Sequence, residues 1–246
     1  MRDADTARLS PGEFLQSQRF AIILWSAIVA AVMLTAVFSV DPAYNYPRLI
    51  TDQLLYYMKA LSFVNQGTTA AHAAVNSGPF IYAAAPGLLR APFIAAFSNF
   101  DDQLRAIQVS NIALGIILGA LSAYIVSWAL PHRYHWLAVS FAYATLLLNP
   151  VWVTNMLSPL ADLPYAVASL GALIALNRMI IGTEAERNSR VIKLLFVILL
   201  AVAFGCRYTA PVLLVYGAVL LRQARADRGI NGASVQRAFI AVGMTL

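Results

Sequence analysis

Long apolar runs, not alternation, organise this chain. The first covers residues 20–40 and holds no charge. At about 1.5 Å of rise per residue it suits a bilayer core roughly 30 Å thick. A cleavable signal would carry only about 7–15 apolar residues and end at a small-x-small site. This run is longer and ends in Ser39-Val40-Asp41-Pro42, so it predicts an uncleaved anchor. A second uncharged run covers 106–130. A third, 134–148, stops at Asn149-Pro150. A fourth, 163–181, carries Arg178 near one end, where a guanidinium can snorkel to the interface. Two half-length runs, 194–206 and 208–221, are split by Arg207. The last, 238–246, rises only about 13 Å, which predicts that the module is incomplete at its C-terminus. A transmembrane β-barrel would show short, weakly alternating segments instead.

Composition sharpens this picture. Hydrophobic residues are 60% of the 246 and charged residues 11%. Soluble domains run near 25% charged, and so few charges cannot cover a water-facing surface. The expected fold class is therefore an all-α membrane protein, a polytopic bundle of about six to seven spans. The net charge of +6 reads as cytoplasmic arginine, not as a nucleic-acid surface. With the N-terminal tail 1–19 in the cytoplasm and spans at 20–40, 106–130, 134–149, 163–181, 192–206 and 208–221, the inside segments hold twelve of the 17 basic residues. Among them are Arg178, Arg187, Arg190, Lys193 and the group from Arg222 to Arg237. One long helix over 192–221 would place that last group outside. Two short helices with Arg207 at the tip keep it inside.

The same topology leaves an external loop, 41–105, in front of the transmembrane region that fills the rest of 20–246. Residues 50–66 predict a helix, with Thr51 as N-cap and Gly67 just past its end. Residues 79–100 are apolar but broken by Pro86-Gly87, Arg90 and Pro92. They predict a helix lying in the outer interface. No internal repeat or low-complexity segment is visible.

Candidate chemistry gathers on the external side. At 100° per residue, Asp52, Tyr56 and Lys59 share one helix face, with Tyr57 beside them. A first-turn carboxylate favoured by the helix dipole and a snorkelling lysine explain that face equally well. Asp162 sits at the outer mouth of a span, where an ionisable group signals function or a helix N-terminal carboxylate. Arg207 interrupts some thirty apolar residues, and guanidinium suits phosphate; a hairpin tip touching headgroups is the plainer explanation. Cys206 is the only cysteine, so it forms no intrachain disulfide. His72, His132 and His135 have no ligand spacing. No Walker loop, dinucleotide fingerprint or hydrolase elbow is present.

The order of these features resembles the N-terminal half of the GT-C glycosyltransferases of the protein-mannosyltransferase and aminoarabinose-transferase type. The resemblance rests on an anchor, then Asp52, Tyr56, Tyr57 and Gly67, then Pro79, Tyr82, Pro86, Gly87 and Pro92. Asn149-Pro150, Ser158 with Asp162, and Gly205-Cys206-Arg207-Tyr208-Thr209 follow. It implies a polyprenyl-phosphate sugar donor, an unspecified acceptor, transfer on the non-cytoplasmic face, and residence in a bacterial inner membrane. Asp52 matches the family's catalytic aspartate and Asp162 its second-loop acid. Gln53 stands where the family often has Glu, leaving Asp52 and Asp162 as the oxygen ligands for a possible divalent cation. Tyr56, Tyr57, Lys59, Arg90, Asp162 and Arg207 are the implied substrate contacts. The physical requirements agree: a base takes the acceptor's proton, and a cation steadies the departing phosphate. A transporter, flippase or scaffold is the rival class, and an inactive fragment of such an enzyme the third. Transporters place ionisable residues at the bilayer midplane and often repeat; here they gather at one face.

Overall fold

The computed structural model describes residues 11–39, 51–64, 85–127, 130–131, 134–158, 162–181 and 183–207, with backbone alone at 11–17, 51–55 and 181. Every regular element among them is a helix: α1 (Pro11–Ser39), α2 (Thr51–Val64), α3 (Ala85–Ala96), α4 (Phe100–Ser127), α5 (His135–Leu148), α6 (Pro150–Leu157), α7 (Asp162–Ile181), α8 (Glu184–Asn188) and α9 (Arg190–Cys206).

Three of these are long and apolar enough to cross a bilayer: Gln18–Ser39 within α1, Phe100–Ser127, and Asp162–Ile180. The α5–α6 pair makes a fourth if it counts as one span, but it bends by 72°. The expected short span 134–149, stopping at Asn149-Pro150, coincides with α5, and the turned-away α6 follows it. Asn149 causes the break from both sides. Its N–H bonds back to the Thr145 carbonyl, and its side-chain oxygen accepts from the Val151 N–H at 2.9 Å. Pro150, at the first position of α6, has no N–H to continue the ladder. The expected run 106–130 falls in α4, which starts earlier, at Phe100. Asn99 accepts from the Asp101 N–H at 3.0 Å, and two acidic residues follow in the first turn. Gly67, residues 41–50, and the runs 208–221 and 238–246 lie outside the described residues.

Polar contacts fix the direction of each helix. In α1, Trp25 Nε1 donates to Ser140 Oγ and Ser26 Oγ meets Tyr143 Oη, both at 3.0 Å. Tyr143 Oη also donates to the Ile116 carbonyl of α4 at 3.0 Å. One end of the bundle thus holds Ser39, Phe100, the α5–α6 bend, Asp162 and Cys206. The other holds Gln18, Ser127, His135, Arg178 and Arg190. Tyr143, Val29, Val139 and Leu163 are fully enclosed between α1, α4, α5 and α7. Outward surfaces are the reverse of a soluble core: Phe20 is 66% exposed and Leu148 81%. Without a hydrophobic drive between helices in lipid, close approach and internal hydrogen bonds hold such a bundle. Gly119 serves that approach, since a Cβ there would lie 2.7 Å from the Tyr143 ring.

An ionic rim at one end of the bundle

The end that gathers Asp162 and Cys206 also receives α2 and α3. Asp162 opens α7, where the helix dipole favours a carboxylate. Arg207 closes α9 in extended conformation, its N–H bonded to the Ala203 carbonyl at 3.0 Å. That kink turns the side chain toward α7. Arg207 Nη2 donates to Asp162 Oδ1, forming an ion pair across 45 residues of sequence. The guanidinium also lies 6.0 Å from the Tyr165 ring centroid, one turn into α7. Both partners remain open, with side chains 48% and 31% exposed.

Near Cys206, the neighbour of Arg207, lies a second cation. Arg90 is 3% exposed, bonds through Nη1 to the Pro86 carbonyl at 3.2 Å, and lies 5.8 Å over the Tyr56 ring. Burial lowers its pKa to about 10, with the nearby Cys206 and Tyr56 favouring the charge, so it is still a cation at neutral pH. Lys59 is buried on the neighbouring helix, and burial lowers its pKa as well. Two glycines permit this layering. A Cβ on Gly87 would lie 3.2 Å from Lys59 Cγ, and one on Gly205 would lie 2.8 Å from Ala85 Cβ. So α3 rests against α2 on one side and against the end of α9 on the other.

The adjacent tyrosines diverge. Tyr56 faces Arg90, while Tyr57 Oη donates to Gln103 Oε1 and packs edge-on against Phe100 with centroids 4.9 Å apart. Burial raises the Tyr57 pKa, keeping the phenol neutral. Tyr57 and Gln103 line a recess of about 650 Å³ with Ile94, Phe97 and Phe100. The site residues expected from sequence thus separate into an open pair, Asp162 and Arg207, two buried cations, Lys59 and Arg90, with the half-buried Tyr56 against Arg90, and Tyr57 apart at the recess. The backbone of Asp52 lies in the first turn of α2, but its side chain is outside the described residues.

Sequence reasoning passed over Gln103, Gln108, Asn111 and Tyr165. Gln108 Nε2 donates to the Leu157 carbonyl at 2.9 Å, and Asn111 Nδ2 to the Ser158 carbonyl at 2.7 Å. They tie the end of α6 to α4 and so hold the approach to Asp162. The available signal was their spacing: 108 and 111 share one face inside an apolar run.

Chemically, the described side chains at this end carry four cations, Lys59, Arg90, Arg105 and Arg207, against three carboxylates, Asp101, Asp102 and Asp162, and Arg207 is the open cation that an anion could meet. A divalent ion needs several oxygen ligands. Among the described residues no group of three or more metal-binding side chains occurs, and Asp162 is engaged by Arg207. The side chain of Asp52, the other expected ligand, lies outside the described residues. Comparison of the chain with protein-family models, with curated proteins and with solved structures finds no match in any of the three.

Proposed function

We propose that this chain is the membrane part of a glycosyltransferase that takes a sugar from a polyprenyl-phosphate donor and passes it to an acceptor on the non-cytoplasmic face. The observation that carries the reading is the open Arg207–Asp162 pair at the bundle end that also holds the buried cations Arg90 and Lys59, opposite Arg178, Arg187, Arg190 and Lys193. On this reading the bundle has six to seven spans, 208–221 completes the hairpin whose tip is Arg207, α2 and α3 lie at the outer interface, and the membrane is a bacterial inner membrane.

Each part has a role. A lipid donor keeps its phosphate at headgroup level, where a rim residue meets it. Arg207 holds that phosphate through its planar fork. Asp162 occupies the fork until the donor arrives. Exposed ion pairs are worth only about 0–1 kcal/mol, so a charged phosphate displaces the carboxylate at little cost. Arg90 and Lys59, too deep for direct contact, add positive potential beneath the leaving phosphate, strengthened by their dry surroundings. Asp52 accepts the proton of the acceptor hydroxyl as the glycosidic bond forms.

The test is binding of a polyprenyl-phosphate sugar to purified wild type and Arg207→Lys in one detergent. An ammonium cannot reproduce the fork, so binding should weaken about tenfold or more, with expression unchanged. Equal affinities would remove Arg207 from the site and the reading with it.

A further inference from the structure

The opposite end of the bundle holds a groove that the transferase reading does not use. Helix α7 is its floor, and α4 and α9 are its walls. Both walls pack on α7 and barely touch each other. The floor presents Val167, Gly171, Ile174, Ala175 and Arg178, positions that fall on one helical face. Gly171 and Ala175 keep it deep: a Cβ on Gly171 would lie 2.8 Å from Leu199 Cδ1. The walls present Ile117, Leu121 and Leu195 among others, and the space amounts to about 480 Å³. From Val167 to Arg178 the floor is about 16 Å long, close to half of a bilayer core of about 30 Å.

One end of the groove is apolar and the other is charged. Arg178 sits at the charged mouth. Its Nη1 donates to Glu186 Oε1 at 2.8 Å and its Nη2 to Tyr124 Oη at 2.9 Å, and its side chain is still 42% exposed. Three exposed cations follow on the two elements at that mouth: Arg187 on α8, and Arg190 and Lys193 on the first turn of α9. Among the described residues of these two elements the carboxylates are Glu184 and Glu186, so with Arg178 these side chains are net positive.

We infer that this groove is a binding site for one anionic glycerophospholipid of the leaflet at the arginine-rich end, an acyl chain on the α7 floor and the headgroup phosphate at the mouth beside Arg178, in the positive field of α8 and the first turn of α9. Length matches a single leaflet, lining matches a hydrocarbon chain, and charge matches an anionic headgroup. The inference rests on the chain lying in a membrane and is independent of any transferase activity.

The experiment titrates the full chain in one detergent with palmitoyl-oleoyl phosphatidylglycerol, with phosphatidylcholine bearing the same chains, and with glycerol phosphate alone, reading bound lipid by native mass spectrometry. Phosphatidylglycerol should bind at least about fivefold more tightly than phosphatidylcholine, and Arg190→Gln and Lys193→Gln should each remove about fivefold. Leu195→Trp, which fills the groove from an exposed wall position, should weaken both lipids; glycerol phosphate should bind weakly. Equal affinities for the two lipids, insensitivity to Leu195→Trp, or full binding of glycerol phosphate would each overturn the site. So would lipid-independent crosslinking of Ile117→Cys to the chain beyond Arg207, which would make that segment the occupant. None of these variants touches Arg207 or Asp162, so failure here leaves the donor-binding test standing.

Discussion

Two glycines one turn apart on α4 should respond differently to the same methyl group. In Gly119→Ala the new Cβ would lie 2.7 Å from Tyr143 Cε1 and 2.9 Å from Cδ1 and Cζ. Tyr143 is fully buried and tethered through its hydroxyl to Ser26 and to the Ile116 carbonyl. A rigid ring held at its tip cannot step aside without stretching those bonds. Overpacking of this kind costs roughly 1–3 kcal/mol. Alanine returns up to about 1 kcal/mol of helix propensity. Losing a tether adds about 0.6 kcal/mol in a membrane bundle. The expected net loss is about 1–2 kcal/mol. In Gly115→Ala the new Cβ meets Met156, at 2.5 Å from its sulfur and 3.0 Å from Cγ. Met156 is fully buried too, but its unbranched side chain has three rotatable bonds and no hydroxyl tether, so it yields more readily than the tyrosine ring. Its expected change is within about 1 kcal/mol of wild type. The assay is unfolding of the full chain in mixed micelles against dodecyl sulfate, followed by circular dichroism, with Tyr143→Ala as a second background. The Gly119→Ala penalty should vanish once the ring is gone. Equal penalties at 115 and 119, or a Gly119→Ala penalty that survives in Tyr143→Ala, would refute the packing argument.

Two more predictions concern the rim. Asp52→Asn should lower turnover with a polyprenyl-phosphate sugar by about 10²–10⁴, the typical worth of a general base; near-normal turnover would dismiss Asp52, and Asp162→Asn would be the variant to measure next. Burial lowers Lys59 below its ordinary 10.5, so between its folded value and pH 10.5 the unfolded chain binds the proton more readily and stability rises with pH. Lys59→Met should flatten the alkaline stability profile below pH 10.5, and an unchanged slope would rule the buried lysine out as its source.

How much of this was legible in the sequence depends on which force sets each feature. Transfer from water sets the apolar runs, so 20–40, 106–130 and 163–181 all coincide with long helices. Helix ends follow capping and not hydropathy, which is why α4 begins six residues before its apolar run, at a turn capped by Asn99. Asn149-Pro150 marked the end of α5 correctly, but the 72° turn of α6 depends on Gln108 and Asn111 reaching it from α4. At the rim, charge counting put Asp162 and Arg207 on one face. Their direct pairing is a tertiary fact, set by the packing of α9 on α7. Likewise Tyr56 and Tyr57 read as a pair, and the helix sends them to different neighbours.

The short helices bear on membrane thickness. The 14 residues of α5 rise about 21 Å and the 17 of α9 about 26 Å, against a hydrocarbon core of about 30 Å. If both cross, the lipid around them must thin to meet their ends, at a fraction of a kcal/mol per Å. The α5–α6 bend and Arg207 lie at the same end, so the depression forms beside the ionic rim. On that condition lipid headgroups beside the rim would lie several Å lower than in the open bilayer, closer to Arg207. If α5 and α9 cross, their shortness makes bilayer thickness a variable to which the rim answers.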